Sequence, residues 1–255
     1  MTSFLLNKAA ILKIFISVSF LCSLSVKAED ITIFTQVLPA KTDKLGENQV
    51  GGIGGEIITK ALEAKKISFK MYWLPWKRAQ EGTLENSDKK SFIIPFTRNA
   101  EREPKYNWVS KLYDAETIFI TQKGTAKINS MADAKGKKIG VLLGSSYETA
   151  ILNSKNGFNT SDIDAVPIDI TNAKKLEAGK INTWYTGVLG AIATFASEKI
   201  DKSKFEFGNK IDVEENYIAT AKNTDSSLVK KLKDAIDSFK KTPEYSAIIK
   251  KYTGK

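Results

Sequence analysis

From Ile31 to Tyr252, short runs of β-branched and aromatic residues alternate with stretches whose apolar residues recur every three or four positions. Residues 31–35 (ITIFT) read as a strand, and Ile67, Phe69, Met71 and Trp73 fall on alternate positions of another. Between them, residues 56–65 set Ile57, Ile58, Ala61 and Leu62 on one helical face. Pro75 suits the first turn of a helix running to about residue 85, and residues 91–95 and 116–121 are further strands. Strands at 138–143, 165–168, 181–185 and 217–221 alternate with helices toward Leu152, at 172–178 and at 188–198. Leu228, Leu232, Ala235, Ile236 and Phe239 then form a helical stripe with Thr224 or Asp225 placed to cap it, and Pro243 opens a last helix. This alternation predicts an α/β fold with largely parallel sheets, in which ligands collect at the carboxyl ends of the strands.

The first 28 residues read differently. Residues 1–13 carry two lysines and no acid, residues 14–24 are apolar, and Val26-Lys27-Ala28 supplies the small residues of a cleavage site. A predominantly apolar run of eleven residues falls well short of the roughly 20 that span a bilayer, so residues 1–28 are expected to be a cleaved signal peptide. Glu29 would begin a mature periplasmic chain. Leu21 before Cys22 argues against a lipid anchor. Cys22 is the sole cysteine and the chain has no histidine, which excludes Cys–His and Ser–His nucleophiles and the usual zinc sites. A Ser–Lys pair or paired carboxylates stay chemically open.

The chain has 39 Lys and Arg against 29 Asp and Glu; Lys8, Lys13 and Lys27 leave with the signal, so 36 against 29 remain, or +7. The lysines are scattered among acids, the pattern of a solvated basic surface rather than of a nucleic-acid site. About 227 mature residues of the 255 suffice for one large domain or two ordinary ones. No Pro/Ser-rich linker separates halves, so two lobes would be joined by structured crossovers.

Three segments could carry chemistry. Thr97-Arg98-Asn99-Ala100-Glu101-Arg102 follows a strand, and an arginine fork there matches a carboxylate bidentately; surface pairing with Glu101 or Glu103 is the plainer alternative. Gly144-Ser145-Ser146 between a strand and a helix leaves N–H groups and hydroxyls for an anion, or simply caps the helix. Gly51-Gly52-Ile53-Gly54-Gly55 lacks the residues of a phosphate loop and reads as a flexible turn and helix entry. Trp73 falls on an apolar strand face, whereas Trp76 and Trp184 lie near element ends, where a ring can stack on a ligand.

The order of these segments resembles the bacterial extracellular solute-binding proteins of family 3, the polar amino-acid-binding receptors of ABC transporters. The likeness is carried by Ile94-Pro95-Phe96-Thr97-Arg98-Asn99-Ala100-Glu101-Arg102 with Trp108-Val109-Ser110 and Leu112-Tyr113. It continues in Lys135-Gly136-Lys137-Lys138-Ile139-Gly140-Val141 with Gly144-Ser145-Ser146, and in Gly179-Lys180-Ile181-Asn182. It implies a two-lobed type II periplasmic-binding-protein fold with a ligand cleft and two hinge crossovers, near 116–121 and 207–215. Lobe 1 would comprise residues 29–119 and 213–255, and lobe 2 residues 120–212. Carried over by position, Arg102 clamps a ligand carboxylate, Thr97 and Pro95 line the cleft beside it, and Ser146 holds the same carboxylate from the second lobe.

The departures count as much. The aspartate that such receptors present to a ligand ammonium falls here at Gly187, and an acid common near the end of the first strand is Gln36. A buried ammonium without a counter-charge is strongly unfavourable. The expected ligand therefore carries an anionic group and is not a standard free α-amino acid, and Trp76, Trp184 and Tyr185 favour a flat or apolar remainder. The resemblance implies a monomer without cofactor that delivers a small molecule to an inner-membrane ABC permease. A sensory or orphan binding module is the alternative, and a dehydratase-like enzyme using Glu56 a more distant one.

Overall fold

The computed structural model describes residues 31–254, so the expected signal peptide lies outside the described residues. Strand β1 (Ile31–Thr35) is followed by a small hairpin, β2 (Asp43–Gly46) and β3 (Gln49–Gly51), then α1 (Gly52–Glu63), β4 (Phe69–Trp73), α2 (Trp76–Glu85), β5 (Ser91–Thr97) and the long β6 (Tyr106–Gln122). Next come β7 (Ile139–Leu142), α3 (Ser146–Leu152), β8 (Ile163–Val166), α4 (Ile170–Glu177), β9 (Thr183–Gly187), α5 (Val188–Ser197) and β10 (Phe205–Phe207). The chain returns through β11 (Asp212–Ala221) to α6 (Ser226–Phe239) and α7 (Pro243–Thr253).

One sheet runs β4-β1-β5-β11-β6-β9-β7-β8, with β10 also paired to β6. Its two ends are parallel, as the strand–helix alternation predicts: β1 with β4 and β5, and β7 with β8 and β9. Its middle is not. β11 runs antiparallel to β6 from Asp212↔Thr117 to Ala221↔Tyr106, and β6 then pairs antiparallel with β9 from Thr117↔Gly187 to Thr121↔Thr183. The expected strand at 116–121 is thus the far end of a 17-residue strand that passes from one half of the molecule to the other.

The cores follow this division. Ile31 and Ile33 of β1, Ile57 and Leu62 of α1, and Phe92 of β5 share a core with Ile218, Leu232 and Ile236. The chain's two ends therefore build one lobe. Ile118, Leu176, Trp184 and Phe195 form a core on one side of the second lobe, and Phe119, Val141, Ile151 and Tyr185 another on its opposite side. The α6 stripe buries Leu228, Leu232, Ala235, Ile236 and Phe239, and Asp225 caps the helix by accepting from the N–H groups of Ser227 and Leu228. Each such leucine taken fully from water contributes about 1.5–3 kcal/mol.

The glycine run differs from its reading as a flexible turn. It forms the first turn of α1 and is packed tightly: a Cβ on Gly55 would stand 2.5 Å from Val50 Cγ2, and Gly52 has φ +78°. Gly54 and Gly55 donate their N–H groups to the Lys41 carbonyl at 3.0 and 3.3 Å. These glycines are there for close approach, and what they hold is the backbone of Lys41.

Candidate functional site

The carboxyl ends of the parallel strands meet at the seam between the lobes. The segment after β1 brings Leu38, Pro39 and Lys41; β5 brings Pro95 and Thr97; the β7–α3 turn brings Ser145 and Ser146; and Asp169 precedes α4. With Trp76, Arg102, Tyr147, Thr186, Gly190 and Asn216 they line a cavity of about 40 Å³. Ligand cavities in α/β sheets form at this end because loops and helix N-termini converge there.

Arg102 is buried, at 4% exposure, and spans the seam. Its Nη1 donates to the Thr97 carbonyl at 2.9 Å and its Nη2 to the Gly144 carbonyl of the other lobe at 3.0 Å. Its guanidinium carbon lies 4.1 Å from the centroid of the Phe96 ring. Burial lowers its pKa to about 10, opposed by the charge of Glu214. Thr97 Oγ1 donates to Glu214 Oε2 at 3.2 Å, and the Ser146 hydroxyl also bonds the Glu214 carboxylate. Arg102, Thr97 and Ser146 are thus brought together as the sequence led one to expect, but around an acid of the chain itself.

Two further charges complete the set. Lys41, at 9% exposure, donates from Nζ to Tyr147 Oη across the seam at 2.5 Å. Asp169 Oδ1 accepts from Trp184 Nε1 and Asn172 Nδ2, each at 2.9 Å, and its Oδ2 from Thr186 Oγ1 at 3.2 Å. Burial pushes the Asp169 and Glu214 carboxyls up and the Lys41 ammonium down, while the opposite charges act against each shift. Other seam bonds run from Gln80 Nε2 to the Gly144 carbonyl at 2.9 Å and from Thr149 Oγ1 to Glu101 Oε2 at 3.0 Å.

Several expected site residues lie elsewhere. Arg98 is 41% exposed and paired bidentately with Glu103 at 2.8 and 2.7 Å, because the turn after β5 directs Arg102 inward and Arg98 outward. Trp184 is fully buried against Phe195 and reaches the site only through its bond to Asp169. Tyr185, on the opposite face of β9, stacks on Phe119 and shares a hydrogen bond with Thr117 Oγ1. Neither ring lines the cavity, since both faces of β9 are covered by core. Gln36 lies outside the lining and ties the lobes together, donating from Nε2 to the Pro167 carbonyl at 2.8 Å. Ser145 does line the cavity, but its hydroxyl caps α3, accepting from Glu148 N–H and donating to the Leu142 carbonyl. Trp76 lines it at 5% exposure. Glu56 lies far from this role, held at 2.6 Å by both Lys251 and Tyr252 of α7.

The sequence reading missed Lys41, Asp169 and Glu214. It sought an acidic partner at position 187, where a Cβ would meet Tyr147 Oη at 2.7 Å and Lys41 Nζ at 3.1 Å. Asp169 did leave a signal, as an acid between a predicted strand end and a predicted helix start.

A family model described as NMT1/THI5 like matches residues 105–246. The chain belongs to the NMT1/THI5-like family. Its fold is the two-lobed type II periplasmic-binding fold. It is 26% identical over 178 residues to the L-cystine-binding protein TcyJ of Escherichia coli (strain K12), covering 68% of this chain and 65% of that one. It is 28% identical over 179 residues to the L-arginine-binding protein of Pseudomonas aeruginosa, covering 64% of each. These alignments span less than two thirds of the relatives' own length. Among solved structures, an ancestral arginine-binding protein bound to arginine superposes with a TM-score of 0.75 at 20% identity, over 88% of this chain and 98% of that one. A histidine kinase sensor domain with similarity to periplasmic binding proteins does so with a TM-score of 0.78 at 12% identity, over 88% and 96%.

Proposed function

We propose that this protein is a periplasmic solute-binding receptor that closes on a small carboxylate-bearing molecule and delivers it to an inner-membrane ABC permease, with no chemical turnover. It acts as a monomer. Lobe 1 is residues 29–119 with 213–255, lobe 2 is residues 120–212, and β6 and β11 are the hinge. The observation that carries this reading is Arg102, a buried guanidinium on the cavity wall whose bonds reach both lobes. A ligand carboxylate displacing the Gly144 carbonyl from Nη2 would link the lobes in its place, which makes closure depend on the ligand.

The test is a thermal-shift screen of the purified protein against small organic acids, amino acids, short peptides and osmolytes. A ligand at 100 times its Kd adds about 2.7 kcal/mol of stability. Stabilisation by acids, lost in Arg102→Ala, is the expected result; a hit unaffected by Arg102→Ala removes this residue from the site. The likeness to a sensor domain favours one second reading, ligand sensing without a permease. ATP-dependent uptake reconstituted with a candidate permease separates the two.

A further inference from the structure

Lys41 is the second buried cation on the cavity wall, and much of the local structure serves it. Its carbonyl is gripped by the first turn of α1, and its side chain crosses into the second lobe to Tyr147 Oη. Two glycines make that crossing possible. A Cβ on Gly187 would stand 3.1 Å from Nζ, and one on Gly190 would stand 3.6 Å from Cε. The ammonium also lies 5.1 Å from the centroid of the Tyr147 ring.

The acids beside the cavity are already engaged by the chain. Asp169 accepts from Trp184, Asn172 and Thr186, which takes three of the roughly four acceptor sites of a carboxylate. Glu214 accepts from Thr97 and Ser146. Two cations stand against two carboxylates: Lys41 opposes the desolvation of both Glu214 and Asp169, and Arg102 that of Glu214. A ligand ammonium entering here would be a third buried cation with no uncommitted counter-charge, which is strongly unfavourable. Leu38, Pro39, Trp76 and Leu142 offer an apolar wall to a hydrocarbon remainder.

We infer that Lys41 supplies from the protein the positive group that a free α-amino acid would bring into this cleft, so that the ligand is a small carboxylate without an ammonium. The inference rests on the carboxylate reading above and names the residue that sets its specificity.

Isothermal titration with matched pairs tests it: propionate against L-alanine, glutarate against L-glutamate, 3-phenylpropionate against L-phenylalanine, and 5-guanidinopentanoate against L-arginine. Wild-type protein is expected to bind at least one acid tenfold or more tightly than its amino counterpart. Lys41→Met should swing that ratio at least tenfold toward the amino acid by removing the cation whose charge compensates Asp169, and Lys41→Met combined with Asp169→Asn should cancel the swing. Lys41→Gln gives the same readout if the methionine variant does not fold. Equal or tighter binding of the amino acid by wild type overturns the inference, as does a ratio unmoved in a folded Lys41 variant. Either result leaves the carboxylate reading standing while Arg102→Ala still abolishes binding. Failure of all four acids to bind overturns that reading and this inference with it.

Discussion

The core of lobe 1 and the seam between the lobes are both buried, and they are built in opposite ways. The core packs the apolar side chains of Ile31, Ile57, Phe92, Leu232 and their neighbours against one another. The seam holds Lys41, Arg102 and Asp169 on the wall of one small cavity with Glu214 beside it, and bonds from Lys41 and Arg102 cross from lobe to lobe. Apolar burial is non-directional and cumulative, and it favours one compact state. A charged seam must satisfy every group it desolvates, and it has a competitor in water whenever the lobes part. The core therefore carries the stability of the lobe, and the seam carries the equilibrium between open and closed.

The strongest way to break that division is to cut the core. Ile57→Ala, at a fully buried position on α1, should cost about 2–5 kcal/mol, read as a lower urea midpoint at unchanged slope. Below the unfolding transition, the ligand Kd should stay within about twofold. A large loss of affinity in a folded variant would show that core and seam are one cooperative unit.

A smaller effect comes from acidity. The Glu214 and Asp169 carboxyls are raised above their ordinary values by burial, so the folded state holds their protons where the unfolded chain has lost them. Their contribution to stability is therefore largest at low pH and is lost as pH rises through the raised values. Glu214→Gln abolishes one such titration. Relative to wild type, the variant should gain stability as pH increases from 5 to 8, measured by urea unfolding at each pH. A difference that shrinks with rising pH would mean that Lys41 and Arg102 more than compensate the burial.

How far each region was legible in the sequence follows from the same contrast. The α6 stripe was readable because burying one helical face forces a period of 3.6 on the apolar residues, and Asp225 marked its start. β6 was not readable as one strand. Passing between lobes, it has both faces buried in places and exposed in others, and no single period survives over its 17 residues. In the site, Arg102, Thr97 and Ser146 were reached through motif order. Lys41 was not, because nothing local shows that a loop lysine will be carried across a seam by the packing of four glycines. Trp184 and Tyr185 misled for a related reason: proximity to a strand end does not reveal which face of the strand is covered. Asp169 and Glu214 were missed because charge compensation was sought at one position along the chain, whereas folding brings it from two distant segments.

The smallest expected effect separates the two roles of Ser145, which lines the cavity and caps α3. Its hydroxyl is committed to the Leu142 carbonyl at 2.6 Å and to the Glu148 N–H at 3.2 Å, which leaves it little capacity toward a ligand. Glu148 reaches back to Gly144 N–H at 2.5 Å, completing a reciprocal cap at the turn that Arg102 and Gln80 grip from the other lobe. Ser145→Ala should therefore cost about 1 kcal/mol of stability in urea unfolding. Its effect on ligand affinity should be minor, since the Gly144 carbonyl faces the first lobe through its own backbone geometry. Ser146→Ala, which removes a hydroxyl from the cavity wall and releases Glu214 behind it, should do the reverse, changing affinity more than stability. If Ser145→Ala weakens binding tenfold while leaving the urea midpoint in place, the hydroxyl belongs to the seam as a ligand contact, and the boundary drawn between structural cap and binding surface moves one residue toward the amino end of α3.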